Sequence, residues 1–343
     1  MRIGILTGGG DCPGLNAAIR AVVRRAITEY DDHVLGIKNG WEGLVDSDVE
    51  PLSLYSISGI LPKGGTILGT SRRNPFRHQD GMQKILDNVA KYEFDALVII
   101  GGDDTLGVAN KLAEKGLKFV GIPKTLDNDL QGTDLAFGFD TAVSIATDAI
   151  DRLHTTAESH HRVIVVEVMG RYNGAIATAA GIAGGADFIL IPEVSFSFEE
   201  MANQIALRHK HGKNFSIIVV AAGAKPKGID QPVSKTGKFD EFSHPILGGI
   251  GEEVSHEIEN RTGMETRVVV LGSIQRGGSP TAFDRVLATR FGIHAVDMVH
   301  AGKFNYMAAL RGTEIVDTPV TEAIRGTRPV DPNVYETAKV FFG

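Results

Sequence analysis

Short apolar runs recur along the chain, each followed by a glycine-rich polar turn and then by a longer segment with apolar residues on one face. Residues 2–7 (RIGILT), 33–37, 96–100 (ALVII), 119–122, 162–168 (RVIVVEV), 188–191, 216–221 and 266–271 read as strands. The unbroken apolar character of several suits strands buried on both faces of a parallel sheet. Between them, residues 15–29, a run ending at Lys115, and residues 141–157, 198–210, 248–260 and 281–301 read as helices. This alternation predicts a doubly wound α/β protein without internal repeats. Residues 224–244 are rich in Lys, Pro, Gly and Asp and are expected to form an exposed, mobile loop.

The segment 96–129 carries the densest chemistry. Its first strand leads into Gly101-Gly102-Asp103-Asp104-Thr105 and a helix, and its second leads into Pro123-Lys124-Thr125-Leu126-Asp127-Asn128-Asp129. In an open parallel sheet both turns emerge at the carboxyl edge, where ligands bind. Two glycines let a phosphate approach the backbone, and the following helix aims its N–H groups at that anion. The four carboxylates there, Asp103, Asp104, Asp127 and Asp129, would repel phosphate unless a divalent cation or a lysine lies between. Lys124 is in place, Mg²⁺ is the expected cation, and the chemistry suggested is phosphoryl transfer. Either turn alone also reads as a helix cap or an ordinary bend; two at successive strand ends favour the ligand reading.

Other turns add candidates of unequal weight. Gly8-Gly9-Gly10-Asp11-Cys12-Pro13-Gly14 follows the first strand, but Pro13 breaks the dinucleotide fingerprint and no Gly-Lys-Ser/Thr of a Walker loop occurs. Gly64-Gly65-Thr66 runs on to Arg72-Arg73, which read either as surface charge or as clamps for a phosphoryl oxygen. Trp41 lies between glycines and reads as a packing residue or a loop aromatic. His154, His160 and His161 lack the spacing of a zinc site, and Cys12 is too isolated to complete one.

Composition narrows the partners. A length of 343 residues is ample for two lobes. A net charge of −7 argues against broad nucleic-acid or membrane-surface binding. The single cysteine allows no internal disulfide, so a reducing, cytoplasmic setting is expected, as it is from the absence of a leader-like start and of any membrane-length apolar run.

Taken in order, these turns resemble the 6-phosphofructokinase family over essentially the whole length. The matching stretches are residues 8–14 with Leu15-Asn16-Ala17-Ala18-Ile19-Arg20, Gly64-Gly65-Thr66 with Gly69, Gly101-Gly102-Asp103, Thr125-Leu126-Asp127-Asn128-Asp129, Met169-Gly170-Arg171, and Ile274-Gln275-Arg276-Gly277-Gly278-Ser279-Pro280. The resemblance implies two similar doubly wound lobes, residues 1–138 with 275–325 and residues 139–274 with 326–343, and an active site in the cleft between them. It also implies a homodimer or homotetramer. By position, Gly9, Gly10 and Gly102 should touch the donor, Arg72 steady the migrating group, and Asp103 hold Mg²⁺. Asp127 should accept the proton of the acceptor hydroxyl, with Thr125 and Asp129 beside it. Met169, Gly170 and Arg171 should cradle the acceptor, Arg276 should grip its phosphate, and Arg162 and Arg267 should come from a neighbouring subunit.

Asp104 with Lys124 resembles the pyrophosphate-dependent branch of that family, since ATP-using members carry glycine where Asp104 stands. A carboxylate just beyond the donor's second phosphate takes the place of a nucleotide's α-phosphate. Two like charges about 4 Å apart at an effective dielectric near 20 repel by roughly 4 kcal/mol, about a thousandfold against ATP. Lys124 would offset charge gathering on pyrophosphate. Two residues depart from the pattern: Ala222 stands where the family has glutamate and Ser273 where it has histidine, both sugar-phosphate contacts. The implied acceptor is fructose 6-phosphate, with a longer ketose phosphate such as sedoheptulose 7-phosphate, or ATP as donor, as alternatives. Nucleotide or lipid kinases with a Gly-Gly-Asp turn, and a non-catalytic sugar-phosphate sensor, are further readings.

Overall fold

Every apolar run read as a strand becomes one, and the strands sort into two sheets. The computed structural model describes residues 1–234 and 236–342. Along the chain the strands are β1 (Arg2–Thr7), β2 (His33–Ile37), β3 (Val49–Leu52), β4 (Ala96–Gly101), β5 (Phe119–Pro123), β6 (Val163–Val168), β7 (Phe188–Leu190), β8 (Ser216–Ala221), β9 (Thr266–Val270), β10 (Tyr306–Arg311) and β11 (Glu314–Pro319). The helices are α1 (Leu15–Tyr30), α2 (Trp41–Asp46), α3 (Gly81–Lys91), α4 (Asp103–Ala113), α5 (Phe139–His160), α6 (Ala175–Ala183), α7 (Phe198–Lys210), α8 (Ile250–Thr262), α9 (Ala282–His300), α10 (Val320–Ala323) and α11 (Pro332–Lys339).

The larger sheet has the order β11-β10-β5-β4-β1-β2-β3, and the smaller β7-β8-β6-β9. The smaller sheet is parallel throughout, whereas the larger has antiparallel pairs at its edges, β2 with β3 and β10 with β11. In the larger sheet β1 pairs with both β2 and β4, in register Ile3 to Ala96 and Ile5 to Val98. The chain therefore winds outward in opposite directions from the β1–β4 boundary, the switch point at which open α/β sheets bind ligands. The long helix α5 carries the chain to the smaller sheet, and a 3-10 turn, Gly272–Arg276, leads back into α9. After α9 the chain adds β10 and β11 to the larger sheet, and the Tyr335 hydroxyl of α11 then donates to the Ile189 carbonyl at the smaller one, at 2.9 Å.

Elements missing from the sequence reading have physical reasons. β3 contains Pro51, which cannot donate to a ladder and is tolerated because the strand lies at a sheet edge. β10 is rich in alanine, a weak strand former, but it is buried between β5 and β11. α6 is apolar on all sides, so its sequence shows little helical periodicity. Trp41 is not on a loop: it opens α2, is buried, and donates its indole N–H to the Thr105 carbonyl at 3.3 Å. Among the described residues no helix is long and apolar enough to cross a membrane.

Candidate active site

The carboxyl ends of β1, β4 and β5 face those of β6, β8 and β9 across a cleft of about 420 Å³. From the larger sheet its walls include Gly9, Gly10, Arg72, Gly102, Asp103, Asp104, Lys124, Thr125, Asp127 and Asp129. From the other side come Met169, Gly170, Arg171, Ala222, Ser273 and Arg276. Arg162 and Arg267 do not line it. They lie on and beside the edge strand β9, where both pair with Glu265, Arg162 at 2.7 Å.

The glycine turn after β1 is held by backbone bonds. The Gly9 N–H donates to the Ser71 carbonyl at 3.0 Å, and Thr70 Oγ1 donates to the Gly9 carbonyl at 2.7 Å. Gly9 has φ +80°, which favours glycine, and a Cβ on Gly10 would lie 2.6 Å from an Arg276 guanidinium nitrogen and displace it, so glycines leave backbone lining the cleft beside Arg276. Lys124, at the end of β5, is buried and donates its Nζ to the Gly10 carbonyl. Burial lowers its pKa, and the charges of Arg276 and Arg72 push the same way. Taking an ammonium out of water costs several kcal/mol, a cost that a bound anion beside it would offset.

Asp103 and Asp104 open α4, where the helix N-terminus favours negative charge. Burial of the Asp103 carboxylate and its neighbour Asp104 raise the Asp103 pKa, although solvent still reaches the residue through the cleft mouth. Crowded hard oxygen donors of this kind suit Mg²⁺, which would relieve the repulsion. Ligand atoms of Asp103, Asp104 and His244 all lie within 4.8 Å of one another.

The turn after β5 holds the other pair. Thr125 Oγ1 accepts from the Asp127 N–H at 3.1 Å and donates to Asp129 Oδ1 at 2.8 Å. Among the described residues Asp127 Oδ1 is buried without a hydrogen-bond partner. Burial raises the Asp127 pKa against the opposing pull of Arg276, Arg171 and Lys124. Asp129 is pushed up to about 7 by burial and by Asp127. A buried carboxylate oxygen without a partner costs about 1–3 kcal/mol or more, and the charges of Arg276, Arg171 and Lys124 nearby favour its ionised form, which fits a proton acceptor.

Opposite, Gly170 has φ +134°, and a Cβ there would stand 2.5 Å from the Asn173 carbonyl, so the turn after β6 requires glycine. The Met169 N–H donates to the buried Gln275 side chain at 3.2 Å, tying this turn to the Gly272–Arg276 turn. Ala222 and Ser273 line the cleft without adding charge.

The sequence reading missed the contribution of residues 224–244. Phe239 is exposed as expected, but Asp240, Phe242 and His244 line the cleft. Asp240 Oδ2 lies 3.9 Å from Arg72 and 3.7 Å from Arg171, and Glu241 accepts from the Asn74 N–H at 2.7 Å. His244 Nε2 lies 3.1 Å from both Asp104 carboxylate oxygens, and its Nδ1 is 3.1 Å from the Tyr172 hydroxyl. The bond to Asp104 raises the His244 pKa, against its partial burial. The composition that marks a loop also hides its function: only the run Phe239-Asp240-Glu241-Phe242-Ser243-His244, aromatic and ionisable together, signals a binding loop.

Comparison with known proteins agrees with this geometry. Residues 2–299 match the family described as phosphofructokinase. The chain is 55% identical, over 100% of both chains, to a pyrophosphate--fructose 6-phosphate 1-phosphotransferase of Streptomyces coelicolor, and 56% identical over the same shares to one of Amycolatopsis methanolica. It is also 49% identical, over 99% of each chain, to ATP-dependent 6-phosphofructokinase 3 of Streptomyces coelicolor. Among solved structures, Saccharomyces cerevisiae phosphofructokinase superposes with a TM-score of 0.82 at 30% identity, covering 99% of this chain but 46% of the yeast chain. A pyrophosphate-dependent phosphofructokinase from Nitrosospira multiformis shares the fold with a TM-score of 0.84 at 20% identity, covering 97% of this chain and 86% of that one.

Proposed function

The chain belongs to the phosphofructokinase family, and from that membership we propose that it transfers a phosphoryl group from pyrophosphate to the 1-hydroxyl of fructose 6-phosphate, in a reversible reaction giving fructose 1,6-bisphosphate and phosphate. The observation that carries the reading is that Asp104 and Lys124 line one cleft opposite the Met169-Gly170-Arg171 turn, together with Asp127, whose buried Oδ1 has no hydrogen-bond partner among the described residues. Full-length similarity to two pyrophosphate-named relatives supports it.

Phosphoryl transfer asks for positioning, a base and charge neutralisation. The backbone of Gly9, Gly10 and Gly102 receives the donor, and Lys124 meets the charge that develops on the departing phosphate. Asp127 takes the proton of the attacking hydroxyl, and Arg72 steadies the migrating group. Asp103, beside Asp104, would hold Mg²⁺, which when bound would neutralise charge on the donor. Met169, Gly170 and Arg171 cradle the acceptor, and Arg276 grips its phosphate. The two lobes divide at residues 138 and 274, with residues 326–343 on the smaller one. Arg162 and Arg267 do not line their own cleft and pair with Glu265 instead, which supports a role in the site of a neighbouring copy in a homodimer or homotetramer.

One observation favours a second acceptor. Ala222 and Ser273 leave the cleft wall short and uncharged where a larger contact would grip the sugar phosphate, so a longer ketose phosphate such as sedoheptulose 7-phosphate fits as well. The test is turnover with Mg²⁺, comparing pyrophosphate with ATP and both sugar phosphates, with inorganic phosphate and the bisphosphate as readouts. Product from pyrophosphate and fructose 6-phosphate is expected; no turnover with any pair would leave the sensor reading.

A further inference from the structure

We propose that His244 is a donor-selecting residue: it holds Asp104 in the place of a nucleotide's α-phosphate, and in the absence of that carboxylate its N–H binds the α-phosphate itself. The proposal rests on the functional reading above. Nε2 lies 3.1 Å from both Asp104 oxygens, so one N–H points at the middle of the carboxylate and fixes its rotation. His244 is itself held at its ring and at its backbone. The Tyr172 hydroxyl, from the turn after β6, lies 3.1 Å from Nδ1. Asp240 Oδ1 accepts the His244 backbone N–H at 2.9 Å, and the Asp240 N–H donates back to the His244 carbonyl at 2.9 Å.

Asp104 stands in the first turn of α4, beside Asp103 and the glycines that face the donor. An N–H aimed at an oxyanion in that place serves equally for a phosphate oxygen, because the recognised chemistry is the same charge-assisted hydrogen bond. With Asp104 present, His244 disperses part of its charge, so pyrophosphate meets a tethered rather than a free carboxylate. A nucleotide still finds the place filled.

Four variants test this in one assay: Asp104→Gly, Asp104→Gly with His244→Ala, His244→Ala, and His244→Gln, which keeps an N–H near Nε2. Asp104→Gly is expected to gain ATP use, and adding His244→Ala is expected to remove about 10- to 100-fold of that gain in kcat/KM, the scale of a hydrogen bond to a charged group. His244→Ala alone should weaken pyrophosphate use by raising its KM, with His244→Gln recovering most of the loss. Calorimetric binding of ATP to the two Asp104→Gly proteins, without sugar, reads the same contact apart from turnover. Should His244→Ala not fold, the pair of Asp104→Gly and Asp104→Gly with His244→Gln, which should differ little, and Tyr172→Phe, which should raise the pyrophosphate KM, carry the test. Equal ATP affinity with and without His244, or Tyr172→Phe and His244→Gln leaving and losing pyrophosphate use in the opposite order, overturns the proposal. Wild-type protein inactive with pyrophosphate overturns the functional reading, and this inference with it; active wild type with an unmoved donor ratio overturns the inference alone.

Discussion

Thr125 donates its hydroxyl to Asp129 at 2.8 Å, and that bond distinguishes the two carboxylates of one short turn. Asp129 is engaged, while Asp127 presents a buried oxygen with no partner among the described residues. This difference supports Asp127 as the proposed proton acceptor. Asp127→Asn keeps the shape and removes the basicity, so kcat should fall by about 10²–10⁴. The KM for the sugar phosphate should change little in steady-state measurements, and near-normal turnover would reassign the base.

The same burial sets a pH dependence. Asp127 and Asp129 both have raised pKa values, Asp129 at about 7. A base works only when deprotonated, so a raised pKa moves the loss of activity to higher pH as the solution is acidified. In a pH profile, kcat/KM should begin to fall below about pH 7, the titration belonging to the pair rather than to one residue. A profile flat to about pH 5, where an ordinary aspartate with a pKa near 3.9 stays ionised, would contradict this.

Lys124 separates activity from stability. Its ammonium is buried against the Gly10 carbonyl, and burial lowers its pKa. Lys124→Met removes a charge that is costly to bury and keeps the length, so Tm should hold or rise. The partner charge grows as pyrophosphate cleaves, so kcat should fall by about 10²–10³ while the pyrophosphate KM moves less. A loss confined to KM would place Lys124 in ground-state binding.

The acceptor side yields a specificity test. Ala222→Glu with Ser273→His restores two polar contacts at the cleft wall. Each hydrogen bond to a charged group is worth about 1.5–3 kcal/mol, so fructose 6-phosphate should gain roughly 10-fold or more in kcat/KM. The added bulk should disfavour sedoheptulose 7-phosphate. An unchanged ratio between the two sugars would show that ordered water already replaces both contacts.

The sequence by itself determined the sheet class, eight of the eleven strand positions and the residue types gathered at each turn. These depend on short-range periods and on backbone demands such as the positive φ at Gly9 and Gly170. Gly101-Gly102-Asp103-Asp104 and Thr125-Leu126-Asp127-Asn128-Asp129 were legible for that reason. Tertiary structure decided which turns meet. Pro51 sits in a strand because that strand is an edge, and Trp41 packs under the Thr105 carbonyl because strand order brings α2 beside α4. His244 reaches Asp104 across 140 residues of sequence, by a loop whose composition advertises only exposure. No local period encodes such a meeting. It follows from strand order in two sheets and from the cleft between their carboxyl ends, which His244 lines together with Asp104.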